Sequence, residues 1–395
     1  EHAALAEVTP PELHRESLTE AMLAAASCGY ALDSLKFVES LPEKSLLQAK
    51  QILMGMKALD DKGLATEHGK RIYPLPIDAL YADLVTRMPN KALREAMVDL
   101  TAVLAMPASL YRLSSNEESL ERLSQEEPLG CDGQLAIRLL RGEELSGVNV
   151  DSEVLREAKA LSEQMREAFE LPQLEVSSRY EHRSLVEAIA RLHPELVFVR
   201  REKRQDAFAN GIMEVTLGRS SRVKSTTLAA LVLDTHSLPG RGVKQTLNLA
   251  TVVMPTELRL IEELELGNWR QGETKVVDEG MHVQMEMEYA GRVVATKLVP
   301  AQGQYAVKPL LELVKSGELM PGFAKTRHEQ IEHWKMYVAL GHAGNNTQVE
   351  QISFDTWFVE QLETIELTEP EELELFSAED FQFDGIPYWE YEDFA

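Results

Sequence analysis

The chain has 395 residues, 44% of them apolar, and carries 40 Lys and Arg against 65 Asp and Glu for a net charge of −25. That size allows two to four packed domains at roughly 100–200 residues each, and a start at Glu1 points to a piece of a longer chain. No run approaches the roughly 18 apolar residues of a membrane span or the order of a signal peptide, and Cys28 and Cys131 are too few for a disulfide framework or a four-ligand zinc site, so a cytoplasmic protein with buried thiols and no membrane partner is expected.

In chain order, Ser17 to Cys28 reads as a helix, with Ser and Thr at its start, Ala and Leu within it and Gly29 as its stop. Lys44 to Met56 is a second, with Leu47, Ile52, Leu53 and Met56 as an apolar stripe. The stretch from Leu59 to Leu80, LDDKGLATEHGKRIYPLPIDAL, has the form of a wing. Asp60-Asp61-Lys62-Gly63 turns the chain, Leu64-Ala65-Thr66 starts a short strand and Gly69 breaks regularity. Ile72 to Pro76 is extended, because residues before proline leave the α region. From Asn90 to Pro172 the pattern is helical throughout. Leu93, Met97, Leu100 and Leu104 recur at three- and four-residue spacing, Pro107 ends that run, and Ser114 to Glu118 leads into a short helix. Leu135 to Leu140 and Leu155 to Phe169 follow. Near Leu174 the period becomes that of strands. Leu196–Val199, Met213–Leu217, Leu228–Leu233 and Leu247–Val253 alternate with turns, which suggests a small barrel. Val283, Met285 and Met287 alternate as the core face of a further strand. The expected fold class is α+β and multidomain.

Chemistry is scarce. ATP hydrolysis needs a Gly-rich loop ending in Lys and Ser or Thr, plus an acidic pair on a strand. Gly69-Lys70 and Lys224-Ser225-Thr226 lack the glycines, and no DEAH sequence occurs. No catalytic residue, bound cofactor or metal is therefore expected in this chain. No Gly-x-Ser-x-Gly elbow is present, and His328 and His333 are five apart with no third ligand. The candidates are basic turns. Arg200, Arg201, Lys203 and Arg204 fall between two expected strands, Arg219, Arg222 and Lys224 follow the next, and Arg241 and Lys244 flank Gly240 and Gly242. Three basic turns on one barrel suit the backbone of a single-stranded nucleic acid, and equally suit solvated loops. Nearby aromatics are few, so backbone tracking is expected over base reading. Arg138 and Arg141 share one helical face, as do Arg156 and Lys159, and read either as channel lining or as partners of Glu143 and Glu163.

The acidic total is unevenly spread. No Lys or Arg follows Lys335, while residues 336–395 hold 15 acids, leaving 50 acids and 40 bases before them. Charges beyond a screening length of about 8 Å matter little, so a basic patch can act locally. Glu360 to Asp393 interleaves acids with Leu, Phe, Tyr and Trp. It either packs its apolar side on the body, competes with nucleic acid for the basic turns, or recruits a protein. An acidic protein-interaction module without nucleic-acid contact is the alternative to a nucleic-acid binder.

The stretch from Pro10 to Asp78 resembles the helicase-associated region of DEAH-box helicases. Thr9-Pro10-Pro11-Glu12-Leu13-His14-Arg15 with Leu18 looks like that family's lead-in, and Ala58-Leu59-Asp60 with Gly63 and the Leu75-Pro76 exit looks like its wing. His193-Pro194-Glu195 and Phe208-Ala209-Asn210-Gly211 resemble the bacterial HrpB branch, as do Trp269, Arg292-Val293, Pro309 to Gly317 and Trp357. The resemblance implies a winged helix over 1–82, a helical ratchet over 83–174, an OB-like barrel over 175–262 and an HrpB-type C-terminal domain over 263–395. It further implies that RecA-like motor domains, absent here, bind ATP and magnesium, and that this region clamps single-stranded RNA or DNA.

Overall fold

The computed structural model describes residues 13, 17–239, 246–277, 280–339, 352–365 and 370–383. The chain forms two compact units, Glu1–Leu266 with Tyr289–Arg292, and Gly267–Glu288 with Val293–Ala395.

The first unit opens with helices α1 (Thr19–Ser27), α2 (Glu43–Gly55) and α3 (Glu67–Ile72). Helix α2 buries Ala49 and Leu53, four apart, and Met56 follows at the next turn, packed with Leu18, Met22 and Leu23. Leu47 and Ile52, expected in the buried stripe, are 59% and 37% exposed, because that register turns them outward. The expected strand and extended exit of the wing are corrected. Only an isolated antiparallel bridge forms, between Leu59 and Ala65. The chain then enters α3, where Thr66 Oγ1 caps the first turn by accepting from Gly69 N at 3.0 Å. Gly69 ends nothing. A Cβ there would lie 2.2 Å from the Ala58 carbonyl oxygen, so glycine is what lets α3 lie against that backbone. Residues 73–77 turn rather than extend.

Six helices follow: α4 (Ala79–Arg87), α5 (Lys91–Leu104), α6 (Glu117–Glu126), α7 (Asp132–Leu140), α8 (Ser152–Ala168) and α9 (His182–Leu192). Helix α5 is the central one, with every residue from Glu95 to Ala102 buried. Its two carboxylates need partners there, since an unpaired charge in an apolar setting is costly. Asp99 accepts from Arg166 Nη2 at 2.7 and 2.8 Å, Arg141 Nε at 2.8 Å and Ser162 Oγ at 2.8 Å. Glu95 accepts from Ser178 N at 2.6 Å. These groups tie α5, α7 and α8 to the connection before α9. Two short strands, β1 (Tyr111–Leu113) and β2 (Val148–Val150), pair antiparallel within a stretch that reads as wholly helical.

Five strands then close a barrel: β3 (Val197–Arg200), β4 (Ala207–Ala209), β5 (Glu214–Leu217), β6 (Ala229–Pro239) and β7 (Thr246–Thr256), in the order β3-β4-β5-β7-β6. Neighbours are antiparallel except β5 and β7. Phe198, Phe208, Val215, Ala230, Val232 and Val253 fill it. Helix α10 (Leu258–Glu263) follows.

In the second unit, β8 (Asn268–Val277), β9 (Gly280–Tyr289) and β10 (Arg292–Pro300) form a sheet with β9 in the middle. Val283 and Met285 are buried with Ala301, as their alternation leads one to expect. Helices α11 (Val307–Ser316), α12 (Phe323–Ala339) and α13 (Phe354–Ile365) surround an aromatic core that includes Phe323, Phe354, Trp357 and Phe358. Leu362, Leu373 and Phe381 of the acidic end are buried in it while Glu360 and Glu363 are exposed, so the described part of that segment packs its apolar side. Cys131 is buried, but Cys28 is exposed, against expectation: it is the residue after α1, where the chain turns outward. No helix among the described residues is long and apolar enough to cross a membrane.

Candidate nucleic-acid interface

Arg200 stands at the end of β3, on the same side of the strand as Phe198 and hence toward the barrel interior. It is 4% exposed, and its guanidinium lies 4.5 Å over the Phe208 ring. It donates from Nε to the Thr227 carbonyl at 2.6 Å, from Nη2 to the Lys224 carbonyl at 2.7 Å, and from Nη1 to the Gln205 carbonyl. Burial, then the Arg292 guanidinium, lower its pKa from the ordinary arginine value. One buried cation thus ties the β3–β4 connection, residues 201–206, to the β5–β6 connection, residues 218–228. The two basic turns lie side by side at one end of the barrel. Arg200 is thus a buried strand residue bonded to three carbonyls, where an exposed loop cation was expected.

The other candidates divide by what holds them. Lys203, Arg219 and Lys224 are exposed and form no ion pair among the described residues. Arg201 and Arg204 share Glu214, at 3.2 Å from Arg201 Nε and 2.6 Å from Arg204 Nη1. Such exposed pairs are weak and screened, so both cations can change partner. Arg222 is half-buried, with Nη2 donating to Ser124 Oγ at 2.5 Å. Its backbone N–H donates to Asp132 Oδ1 at 2.7 Å, and Ser221 Oγ donates to Oδ2 at 2.7 Å. Asp132, the first residue of α7, therefore fixes this turn against the helices. Burial raises the Asp132 pKa to about 6 despite those hydrogen bonds. Gly130 completes the junction. Its φ is +66°, and a Cβ would lie 2.5 Å from the Arg222 carbonyl oxygen. Arg241 and Lys244 lie outside the described residues.

Arg138 and Arg141, read as channel lining or as partners of acids, are both ion-paired. Arg138 donates to Glu143 Oε2 and to the Glu126 carbonyl, each at 2.8 Å. Arg141 is consumed by Asp99 and by the Ser178 carbonyl at 3.0 Å, and its guanidinium lies 5.5 Å from the Tyr180 ring centre. Arg156 pairs with Glu153 at 3.5 Å, in solvent. The residues that organise these turns, Arg200, Asp132 and Gly130, are buried and were not legible as such, although Gly130-Cys131-Asp132 has the glycine and acid of a helix start. A cavity of about 740 Å³ lies elsewhere, between α1 and the connection from α3 to α4. It is lined by Glu20 and Asp78 and by no Lys or Arg, so it is a poor site for a polyanion.

No protein-family model matches the chain. Over 113 residues it is 25% identical to the pre-mRNA-splicing factor ATP-dependent RNA helicase prp22 of Schizosaccharomyces pombe, a match covering 28% of this chain and 10% of that protein. The fold is similar to the crystal structure of the E. coli DExH-box NTPase HrpB, with a TM-score of 0.53 and 11% identity, covering 96% of this chain and 42% of that one. A structure of the Escherichia coli DEAH/RHA helicase HrpB gives 0.50 and 12%, covering 97% of this chain and 43% of that one. The chain therefore spans a tenth of the curated relative and about two-fifths of each HrpB chain. With nearly all of its length matched in this way, the chain has the fold of a C-terminal region of an HrpB-like DEAH-box helicase.

Proposed function

We propose that this chain is the nucleic-acid-gripping accessory region of an ATP-dependent helicase. In this reading, residues 1–82 form a winged-helix-like brace, 83–174 a ratchet, 175–262 an OB-type barrel and 263–395 an HrpB-type C-terminal domain. RecA-like motor domains outside this chain bind ATP and magnesium and hydrolyse the nucleotide, while the barrel and helices hold single-stranded RNA or DNA and oppose backward slip.

The carrying observation is that Arg200 binds two basic turns together at one end of a closed barrel. The strand order supports an OB-type assignment. Such barrels grip single strands on the face of their second and third strands and through the loops joining strands one and two, and four and five. Here these are the outer side of β4 and β5, the connection carrying Lys203 and Arg204, and residues 240–245 with Arg241 and Lys244.

The test is an anisotropy titration of labelled single-stranded RNA and DNA across a range of salt. The wild-type chain is expected to bind with affinity falling steeply as salt rises. A triple variant, Lys203→Glu, Arg219→Glu and Lys224→Glu, should bind at least tenfold more weakly at low salt, with the slope of log K against log salt reduced by about two. Equal affinity of variant and wild type would remove these turns from the interface. Absence of binding by the wild type, with or without residues 360–395, would favour the acidic protein-interaction module instead.

A further inference from the structure

Beside the β4–β5 turn lies an open cleft of about 480 Å³, lined by Arg201, Ala209, Ile212, Met213, Glu214 and Gly291 among others. Register places it on the barrel's outer side. Val199 pairs with Ala209 and Ala209 with Glu214, while Phe208 and Val215, on the opposite side of the same strands, belong to the core. The cleft has two apolar residues at its rim. Ile212 is 86% exposed and Met213 36%. They do not hang loosely. Asn210 Oδ1 accepts from both of their backbone N–H groups at 2.9 Å, and Asn210 Nδ2 donates to the Glu195 carbonyl at 2.7 Å. The far wall is equally fixed. Arg201 Nη1 donates to the Ala290 carbonyl at 2.8 Å, Tyr289 Oη to the Val197 carbonyl at 2.8 Å and Arg292 Nη1 to the Arg200 carbonyl at 2.9 Å. Gly291, whose Cβ would lie 3.2 Å from Arg201 Nη1, leaves that wall flat.

We propose that this cleft takes one unpaired base of a bound single strand against Ile212 and Met213, while Arg204 and Lys203 engage the adjoining phosphates. The inference rests on the polyanion-gripping reading and adds to it a contact that sees bases. Three features select a nucleobase as occupant. The cleft offers apolar rim atoms and a planar guanidinium, the combination that accepts a base face without reading its identity. Its volume suits a small ligand. Its only lining acid among the described residues, Glu214, is shared by Arg201 and Arg204, so an arriving phosphate replaces the carboxylate on Arg204 without stranding a charge. Sequence alone favoured backbone tracking because it counted aromatic residues. Aliphatic side chains pinned on a rigid turn serve the same end with no signature in composition.

The experiment compares two competitors of equal length and charge, a uridylate dodecamer and an abasic dodecamer, binding to the full chain. Wild type is expected to favour the base-bearing strand by about fivefold or more. The double variant Ile212→Ser, Met213→Ser should lose that preference while holding the abasic strand as before, and Ile212→Phe should keep or raise it. Both substitutions fall at solvent-facing positions, and unchanged thermal melting checks that the fold is intact. If wild type holds both strands equally, or if the double variant loses affinity for both alike, the base contact is wrong while the electrostatic grip stands. If wild type holds neither strand, both readings fall.

Discussion

Asp83 is fully buried in α4, with His68 Nε2 at 2.5 Å, His193 Nε2 at 2.8 Å and Arg87 Nη1 at 3.1 Å. His193 reaches on from Nδ1 to Glu195 Oε1 at 2.6 Å. Burial opposes both charges, yet the hydrogen bonds win. Asp83 is held at about 2 by His193 and His68, and His193 is raised to about 9 by Asp83 and then Glu195. The signs follow from linkage. The His193 contribution is complete below its unfolded value of 6.5 and disappears as pH climbs through about 9. The Asp83 contribution is complete above 3.8 and is lost as pH falls toward about 2. Urea unfolding of wild type and His193→Gln at about pH 6 and about pH 10 should show wild type ahead by roughly 2–3 kcal/mol at the lower pH and the gap mostly closed at the higher. A gap independent of pH would mean that His193 is neutral in the folded state. None of this cluster was legible beforehand, since its members come from positions 68, 83, 193 and 195.

At the scale of an element, α3 shows where local pattern misleads. Thr66-Glu67-His68-Gly69 was read for its glycine as a break. The better signal was Thr66 as a cap with Glu67 in the first turn. Glycine there serves packing against Ala58, a contact with a residue eleven positions back that no periodicity reveals. Two substitutions separate these roles. Gly69→Ala should destabilise the chain by roughly 1–3 kcal/mol, because the new methyl meets a carbonyl oxygen. Gly55→Ala, in the last turn of α2 with nothing within 4 Å, should stabilise it by roughly 0.4–1 kcal/mol. Chemical denaturation midpoints of both variants decide the matter, and equal signs would refute it. Elements with one strong period were legible: α1, α2, α5, α8 and the long parts of β6 and β7. The three-residue strands β1, β2 and β4 were not, because three residues hold too little alternation to see. Helix α5 carried a readable but unread warning. Glu95 and Asp99, four apart in an otherwise apolar stretch, had to meet cations, and Arg141 and Arg166 supply them from distant helices.

Across the molecule, charge was legible in amount but not in disposition. The excess of acid toward the end of the chain and the basic turns in the middle were both plain, yet which cations stay free depends on contacts between elements. Lys203, Arg219 and Lys224 remain available, whereas Arg200, Arg138 and Arg141 are committed to carbonyls and carboxylates. The contrast between the two thiols has a practical consequence. Cys28 sits in water, while Cys131 caps α7 beside the Asp132 anchor and is held protonated by its burial. A maleimide should therefore modify one site per chain in minutes and the second only as fast as the region around α7 opens. The slow phase becomes a clock for breathing of the helix–barrel seam, and ligand added to the basic turns should lengthen it. Two equally rapid modifications would show that the seam is already loose.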